Sequence, residues 1–229
     1  MSEHIQQGTL YIVPTPIGNL DDITIRAVKI LSSVEIIAAE DTRTTKILLD
    51  HLHIQKPLIS FFSHNETIRV PQIIEKLQQG NSIALVSDAG TPGISDPAYS
   101  IITAAIHHSI PIVPLPGPTA FVPVLIASGF PTHSFVFEGF LPHKKGRHTK
   151  LTQLKDEHRT IIFYESPHRI LKTLEELSSV LGGEREAVIG REMTKKFEEI
   201  VRGTLHSLHQ TFSQRAIKGE FVLVVKGKE

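Results

Sequence analysis

The sequence of 229 residues contains no cysteine, no tryptophan and only 2 methionines. The absence of cysteine excludes disulfides, zinc-thiolate sites and thiol catalysis. No apolar run approaches the roughly 18 residues of a membrane-spanning helix. Residues 1–8 are polar and lack the apolar core of a signal peptide. These absences predict a soluble, cytoplasmic protein with no membrane-inserted part.

An excess of charge of either sign is also missing. Lys and Arg total 24, and Asp and Glu total 24, so the formal net charge is zero. Any attraction to nucleic acid must therefore come from local clusters. The 13 histidines do not fall in an HExxH or another compact ligand spacing, so no metal site is predicted. Neither a P-loop (GxxxxGK[ST]) nor a Rossmann fingerprint (GxGxxG) is present.

What the sequence does contain is a stretch of glycine, proline and aspartate at residues 88–97, DAGTPGISDP. It follows an apolar run at 83–86 and precedes a helical pattern at 98–106. Glycine permits positive φ or close approach of a ligand, and proline fixes the loop shape in advance. Asp88 and Asp96 can accept hydrogen bonds. A simpler alternative is a tight turn in which Asp96 caps the next helix and Pro97 is its first residue.

The first half of the chain alternates between strand and helix patterns. Apolar runs occupy residues 9–13, 34–39, 58–62, 83–86 and 111–115. This alternation predicts a parallel sheet with right-handed crossovers. Each run ends in a polar or proline-glycine loop, and the carboxyl ends of parallel strands share one sheet edge, where ligands bind. The sequence therefore predicts a ligand cleft at that edge.

Three local expectations refine this first half. A helix should open at residues 20–22, and Asp41 or Thr42 should cap the helix that ends near Leu52. Pro71 should lie in or near the first turn of the following helix, because a proline further inside would kink it.

The second half has a different pattern. Strands are predicted at residues 134–140, 160–164, 187–191, 199–205 and 220–225, with a helix at 170–181. The short connection between the third and fourth of these strands predicts a hairpin and hence a mixed sheet. The predicted fold class is α/β, with an N-terminal domain at 1–118 built on a mostly parallel sheet and a C-terminal domain at 119–229 built on a mixed sheet.

A basic segment at residues 141–155 contains five cations and no acid: Lys144, Lys145, Arg147, Lys150 and Lys155. Such a run is usually a solvated loop. In an otherwise neutral protein it can also be a mobile lid that contacts phosphates. Both interpretations stay open at this point.

Eight segments together resemble a known family. In chain order they are LYIVPTPIGNLDDITIRA, AAEDTRTTKILL, SFFSHNE, ALVSDAGTPGISDPAY, PLPGPTAFVPVLIASGF, FEGFLPHKKGR, FYESPHRI and REMTKKFEE. The chain resembles the ribosomal RNA branch of the tetrapyrrole methylase-like, class III S-adenosylmethionine (SAM) methyltransferases, from about residue 9 to 225. The resemblance implies two α/β domains with SAM in the cleft between them, usually in a homodimer. It also implies 2′-O-methylation of a cytidine ribose in the decoding region of 16S rRNA, in the small ribosomal subunit.

The resemblance also implies a cofactor site. Its expected residues are Pro16, Asp88, Gly90, Thr91, Pro92, Gly93, Ile94, Ser95, Asp96, Thr119, Ala120, Glu165, Arg191, Met193, Gly219 and Glu220. A ribose hydroxyl is a poor nucleophile, so a general base or a polarising cation should assist it. Candidate catalytic residues are Asp41, His64, Glu66 and Glu165, with Arg43 as a phosphate clamp, and the sequence does not choose among them. The expected RNA contacts are Arg43, Lys144, Lys145, Arg147, Arg169 and Lys195.

Two other functions compete with this one. The first is a SAM-dependent methylase of a tetrapyrrole such as a corrin or porphyrin precursor. A small acidic substrate would not require so spread a basic surface, which argues against it. The second is a non-catalytic protein that binds RNA or SAM, and the intact glycine-rich turn argues against that.

Overall fold

The computed structural model describes residues 5–229. The chain divides into two compact units, with the boundary between Thr119 and Ala120. Each unit is built on a five-stranded sheet of its own. Within the described residues, no helix has both the length and the apolar character that crossing a bilayer requires.

The sheet of the first unit is entirely parallel, with strand order β3-β2-β4-β1-β5. Its strands are β1 (Leu10–Ile12), β2 (Ile36–Ala39), β3 (Leu58–Ser60), β4 (Ile83–Val86) and β5 (Ile112–Pro114). The connecting helices are α1 (Ile25–Ser33), α2 (Thr42–His51), α3 (Glu66–Gln78) and α4 (Tyr99–His107). The predicted alternation and parallel sheet are confirmed.

Apolar side chains cover both faces of this sheet. In β4, Ile83 and Leu85 belong to one core cluster, whereas Ala84 and Val86 belong to another on the opposite face. A strand buried on both faces has a continuous apolar sequence, which is why periodicity identified it. All five strands run the same way, so the loops after β1, β2 and β4 lie side by side.

Side-chain caps fix two of the helix starts. Asp41 caps α2 as predicted, and its carboxylate accepts a hydrogen bond from the Arg43 N–H. Thr24 caps α1 through the Ala27 N–H. The expected helix at residues 20–22 is only a short 3-10 turn, Leu20–Asp22, because the Thr24 cap starts the helix later.

The alternative interpretation of the glycine-rich stretch is wrong, and Pro71 lies just past the first turn of its helix, near where it was expected. The helix α4 starts at Tyr99, and no side chain caps it, so Asp96 is not a cap and Pro97 is not a first helical residue. Pro71 lies inside α3, beyond its first turn. Its missing N–H leaves one carbonyl of the helix without the usual partner.

The sheet of the second unit is mixed, with strand order β6-β7-β10-β8-β9. Its strands are β6 (Phe135–Phe140), β7 (Thr160–Glu165), β8 (Glu186–Arg191), β9 (Glu199–Thr204) and β10 (Phe221–Val225). Only β6 and β7 pair in parallel, and β8 and β9 form the predicted hairpin. Its helices are α5 (Phe121–Ser128), α6 (Arg147–Gln153), α7 (Ile170–Leu181) and α8 (Leu205–Ser213).

Sequence analysis missed α6 and α8. The start of α8 is a capping box, in which Thr204 and Ser207 each bond the backbone of the other. Leu205, Leu208 and Phe212 then face the core at helical spacing. Both signals are visible in the sequence. The helix α6 occupies part of the basic segment, which is therefore not a plain loop.

Candidate functional site

Three strand-end loops of the first unit are tied together around the glycine-rich turn. The backbones of Thr15 and Gly90 exchange two hydrogen bonds, of 2.9 and 3.0 Å, which join the loops after β1 and β4. The Thr91 hydroxyl donates to the Pro118 carbonyl at 2.9 Å and lies 2.8 Å from the Thr119 hydroxyl. The loops after β1, β4 and β5 thus form one continuous edge. The predicted residues Pro16, Pro92 and Ile94 lie in these same loops.

The backbone of the turn has a shape that few residues tolerate. Gly90 has φ +85° and Gly93 has φ +90°, which confirms that the glycines supply positive φ. A Cβ on Gly90 would lie 3.4 Å from the Ile17 Cγ2. Ser95, with φ +145°, adopts a conformation that costs a non-glycine residue about 1–3 kcal/mol. Such strain is typical of functional loops.

Carboxylates of the loops after β2 and β4 hold the two loops together through backbone donors. The Asp41 N–H donates to the Asp88 Oδ1 at 3.0 Å. In return, the Asp88 N–H donates to the Glu40 Oε2 at 3.3 Å. Sequence analysis did not include Glu40 among the site residues, although its position directly after β2 was a usable signal.

The carboxylates at this edge differ in pKa. Burial, and after it the negative charge of Glu40, raise the pKa of Asp96 to about 6. Burial also raises the pKa of Asp88 and of Glu40. In contrast, hydrogen bonds from Arg43 lower the pKa of Asp41 to about 2. Among the ion pairs within residues 5–229, none includes Glu40, Asp88 or Asp96. This edge therefore favours a cationic ligand.

Arg43 combines an internal ion pair with solvent exposure. Its Nη2 lies 2.6 Å from the Asp41 Oδ2, and its Nε donates to the Asp41 Oδ1 at 3.0 Å. The side chain is nevertheless 89% exposed. A guanidinium in this position can contact an anionic ligand while Asp41 orients it.

The loop after β3 is ordered by its own side chains. The Asn65 Oδ1 accepts the Phe62 N–H at 2.9 Å. Glu66 accepts a hydrogen bond from the Ser100 hydroxyl, which links the first turns of α3 and α4. The exposed His64 ring meets the Phe62 ring edge-on, with 6.4 Å between centroids. Of the two predicted catalytic residues here, Glu66 is engaged and His64 faces solvent.

In the second unit, Glu165 and Arg147 belong to one internal network. Glu165 is buried, with its Oε1 2.8 Å from Arg169 and its Oε2 accepting the Thr173 hydroxyl at 2.7 Å. Arg147 donates to Thr173 and to Glu176, both at 2.7 Å, and its side chain is 6% exposed. This burial argues against Arg147 as an RNA ligand and against Glu165 as a proton acceptor.

A second cluster lies at the β8–β9 turn. The Glu192 Oε1 accepts hydrogen bonds from the Lys195 Nζ at 3.1 Å and from the Glu220 N–H at 3.0 Å. Gly219 has φ +92°, and a Cβ there would lie 2.4 Å from the Glu192 Cγ. The structure therefore brings the predicted Lys195, Gly219 and Glu220 together around Glu192, which lies between the predicted Arg191 and Met193.

The remaining predicted residues of the second unit differ in their surroundings. Arg191 is ion-paired with Glu199, and Met193 is buried. Ala120 is the first residue of the unit and precedes α5. Lys144 and Lys145 are both exposed, as RNA contacts require. In the part of the chain that the structure describes, no group of three or more His, Cys, Asp or Glu side chains is arranged to hold a metal ion.

Comparison with known sequences gives consistent relatives. The family described as Tetrapyrrole (Corrin/Porphyrin) Methylases matches residues 9–209. A protein of Synechocystis sp. named ribosomal RNA small subunit methyltransferase I is 51% identical over 221 residues, covering 96% of this chain and 79% of that protein. Proteins of the same name from Haemophilus influenzae (96% and 79% covered) and Vibrio cholerae (95% and 77%) are 50% and 52% identical.

Comparison with solved structures supports the same fold. A cobalt precorrin-4 methyltransferase of cobalamin biosynthesis superposes with a TM-score of 0.68 at 16% identity, covering 98% of each chain. A uroporphyrin-III C-methyltransferase from Thermus thermophilus has a TM-score of 0.68 at 19% identity, covering 96% of this chain and 94% of that one. The chain belongs to the tetrapyrrole (corrin/porphyrin) methylase family and, within it, to the family of ribosomal RNA small subunit methyltransferase I.

Proposed function

We propose that the protein transfers a methyl group from SAM to the 2′-hydroxyl of a cytidine ribose in the decoding region of 16S rRNA. The name shared by relatives about half identical to this chain supports a small-subunit rRNA substrate. The observation that carries the chemistry is the strand-end edge of the first unit. There, Glu40, Asp88 and Asp96 have raised pKa values.

The residues of this edge fit SAM by their chemistry. When bound, SAM supplies an electrophilic methyl group on a positively charged sulfur. A cation bound beside carboxylates of raised pKa stabilises their ionised forms. Its charge offsets both the cost of their desolvation and their mutual repulsion. The positive-φ glycines Gly90 and Gly93 let a ligand approach the backbone closely. Their loop, with Thr119, is proposed to bind the cofactor. In the second unit, the residues proposed to bind it are Ala120, Arg191, Met193, Gly219 and Glu220.

Among the five candidate catalytic residues, we favour His64 as the proton acceptor. The carboxylate of Asp41 is bound by Arg43, that of Glu66 by Ser100, and that of Glu165 by Arg169 and Thr173. The imidazole of His64 is exposed at the end of β3. Imidazole is the usual general base near neutral pH. In this proposal Asp41 orients Arg43, and Arg43 clamps a phosphate.

Contact with the RNA backbone is assigned chiefly to Arg43, Lys144 and Lys145. These three side chains are exposed. Arg169 and Lys195 are ion-paired with Glu165 and Glu192 and would have to share their charge with a phosphate. The proposed RNA surface therefore excludes Arg147 and is smaller than the sequence predicted.

A homodimer is proposed from the apolar surface of the second unit. A β-bulge at Glu138 shifts the register of β6, so that Phe140 lies opposite Tyr164, on the same face as Phe137. Phe135 and Phe140 are exposed on that strand, and so are two aliphatic side chains of α5, Val122 and Ile126. Exposed apolar side chains that form one patch usually mark an interface, and we propose that these four do so. We further propose that the two units, which meet in the chain at Thr119 and Ala120, are the two predicted domains, 1–118 and 119–229, with the boundary moved by one residue. We also propose that the protein works in the cytoplasm.

The function is tested by incubating the protein with 30S subunits and SAM labelled in the methyl group. We expect label in 16S rRNA, and alkaline hydrolysis should fail to cleave at the labelled nucleotide. A 2′-O-methyl group blocks that cleavage, because it caps the hydroxyl that attacks the phosphodiester. Cleavage at the labelled nucleotide would put the methyl group on the base. A parallel incubation replaces the 30S subunits with a uroporphyrinogen or precorrin substrate, and label there, with none in RNA, would assign the protein to tetrapyrrole methylation.

A further inference from the structure

Tyr99 is exposed beside the glycine-rich turn. It is the first residue of α4, and its side chain is 84% exposed, the largest value among the exposed large hydrophobic side chains of the described residues. An aromatic ring at that exposure contributes little to the core. The next residue, Ser100, donates its hydroxyl hydrogen bond to Glu66, which fixes the first turn of α4 to that of α3.

Phe62 lies in the loop that leads into α3, the helix at the other end of this hydrogen bond. It follows β3, and its side chain is 38% exposed although the turn that carries it is firmly held. The Asn65 side chain accepts the Phe62 N–H and donates to the Ser60 carbonyl at 3.1 Å. Both aromatic rings therefore stand on ordered backbone at the strand-end edge, where little entropy is lost on binding.

A cation lies between the two rings in the order of the strands. The neighbours β3, β2 and β4 carry Phe62, Arg43 and Tyr99 after their carboxyl ends, respectively. The two rings stand where α3 and α4 begin, on one face of the sheet, and Arg43 stands where α2 begins, on the other face, so all three lie at the carboxyl edge. Proteins bind single-stranded RNA by stacking bases on aromatic rings and pairing cations with the phosphates between them.

We propose that these three residues form an aromatic rim that binds unpaired nucleotides flanking the one to be methylated. Phe62 and Tyr99 stack on bases, and Arg43 contacts a phosphate of the same segment. This inference rests on the proposed function, and it specifies the substrate as an unstacked, single-stranded segment. A base-paired segment would not present the faces of its bases to the two rings.

The test measures KM and kcat for 30S subunits in the full-length protein. Tyr99→Ala and Phe62→Ala should each raise KM about 10-fold, because stacking on one ring is worth about that factor in affinity. For Tyr99→Ala the kcat and the SAM affinity should stay near wild type, and Tyr99→Phe should restore KM. The matched control is Ile106→Ala, at the opposite end of α4 and 64% exposed.

A direct readout of stacking uses a decoding-region RNA oligonucleotide with 2-aminopurine beside the target cytidine. Its fluorescence should fall on binding to wild type and Tyr99→Phe, and not on binding to Tyr99→Ala. If Tyr99→Ala and Ile106→Ala methylate 30S subunits with the same KM, the aromatic rim is contradicted and the proposed function still stands. Reduced self-association of Tyr99→Ala in sedimentation, with KM unchanged, would also contradict the rim, since the ring would then lie between two copies of the chain.

The same data separate this inference from the proposed function. Wild type that quenches the probe through Tyr99 but transfers no methyl group to rRNA would contradict the function and support the rim. Wild type that neither quenches the probe nor methylates rRNA would contradict both.

Discussion

Three carboxylates at the strand-end edge of the first unit lack an ion-pair partner among the described residues, whereas three carboxylates of the second unit have one. In the first unit, Glu40, Asp88 and Asp96 have raised pKa values and take no part in the ion pairs found within residues 5–229. In the second unit, three carboxylates each have cationic partners: Glu165, Glu192 and Glu199. Burial works to raise the pKa of Glu192, but hydrogen bonds from Glu220 and Lys195 lower it overall.

The difference supports the proposed binding edge in the first unit and a structural network in the second. A desolvated carboxylate without a counter-charge is unfavourable, and such groups concentrate where a ligand completes them. A carboxylate whose lone pairs are already used holds the fold in place and has little capacity left for a ligand. We therefore assign the recognition of a cationic cofactor to the first unit's edge and a structural role to Glu165.

The largest expected effect comes from removing the charge of Glu165. Glu165→Gln leaves the Arg169 guanidinium unpaired inside the unit, which should cost about 3 kcal/mol. The midpoint of thermal unfolding should fall by about 6–12 °C. The control is Glu157→Gln, which breaks the more exposed pair with Arg159 in the same unit. Equal shifts for both variants would contradict the scaffold role.

The next largest effect concerns SAM affinity and the glycine-rich turn of the first unit. Gly90→Val should lower SAM affinity at least about 10-fold, because a branched residue disfavours φ +85° and its side chain meets Ile17. Gly80→Val is the matched control, since Gly80 has φ +93° in the same unit with no atom within 4 Å of an added Cβ. Calorimetry should show weakened binding for Gly90→Val only. Normal affinity in a folded Gly90→Val protein would remove the turn from the cofactor site.

A smaller effect concerns the cations of the second unit. Lys144→Ala combined with Lys145→Ala should reduce the slope of log affinity for rRNA against log salt by about two, because each lysine that pairs with a phosphate adds about one to that slope. SAM affinity should not change. Lys172→Ala with Lys218→Ala removes the same charge from exposed positions elsewhere in the unit. If the two double variants have the same slope, the segment around Lys144 is only a solvated surface.

The smallest effect is on stability in the absence of ligand. The folded-state pKa of Asp96 is about 6 against an ordinary 3.8, so its ionisation destabilises the fold as pH rises through that window. At pH 8, Asp96→Asn should raise the unfolding midpoint by about 2–4 °C, or about 1 kcal/mol after allowance for solvent screening. At pH 4 it should have no effect. Asp50→Asn, a surface pair with Lys46, is the control. A midpoint that falls at pH 8 would contradict the account.

Local patterns predicted much of the fold, because the interactions that fix these elements join residues close together in the sequence. The buried strands, the Asp41 cap and the β8–β9 hairpin all follow from neighbouring residues. The start of α4 was predicted to within one residue by its helical pattern, whereas the positive φ of Ser95 in the preceding loop could not be predicted from neighbouring residues.

The candidate site was predicted by position better than by role. Sequence analysis placed Arg147 on the RNA surface because its positive charge is visible, whereas its partner Glu176 is on a different helix. For the same reason, the close approach of Gly219 to Glu192 could not be predicted, since only folding brings the two together. The strand-end edge could be predicted from the sequence because parallel topology alone brings its loops together.

The most direct test of the central claim counts the protons released when SAM binds. Titration calorimetry at pH 6, in two buffers of different ionisation enthalpy, gives this number. With the Asp96 pKa about 6 in the free protein, a cation bound beside it should release about half a proton. We predict that Asp96→Asn abolishes this release and that Asp50→Asn keeps it. SAM binding with no proton release, or with the same release in Asp96→Asn, would show that the unpaired carboxylates of the first unit do not receive the cofactor.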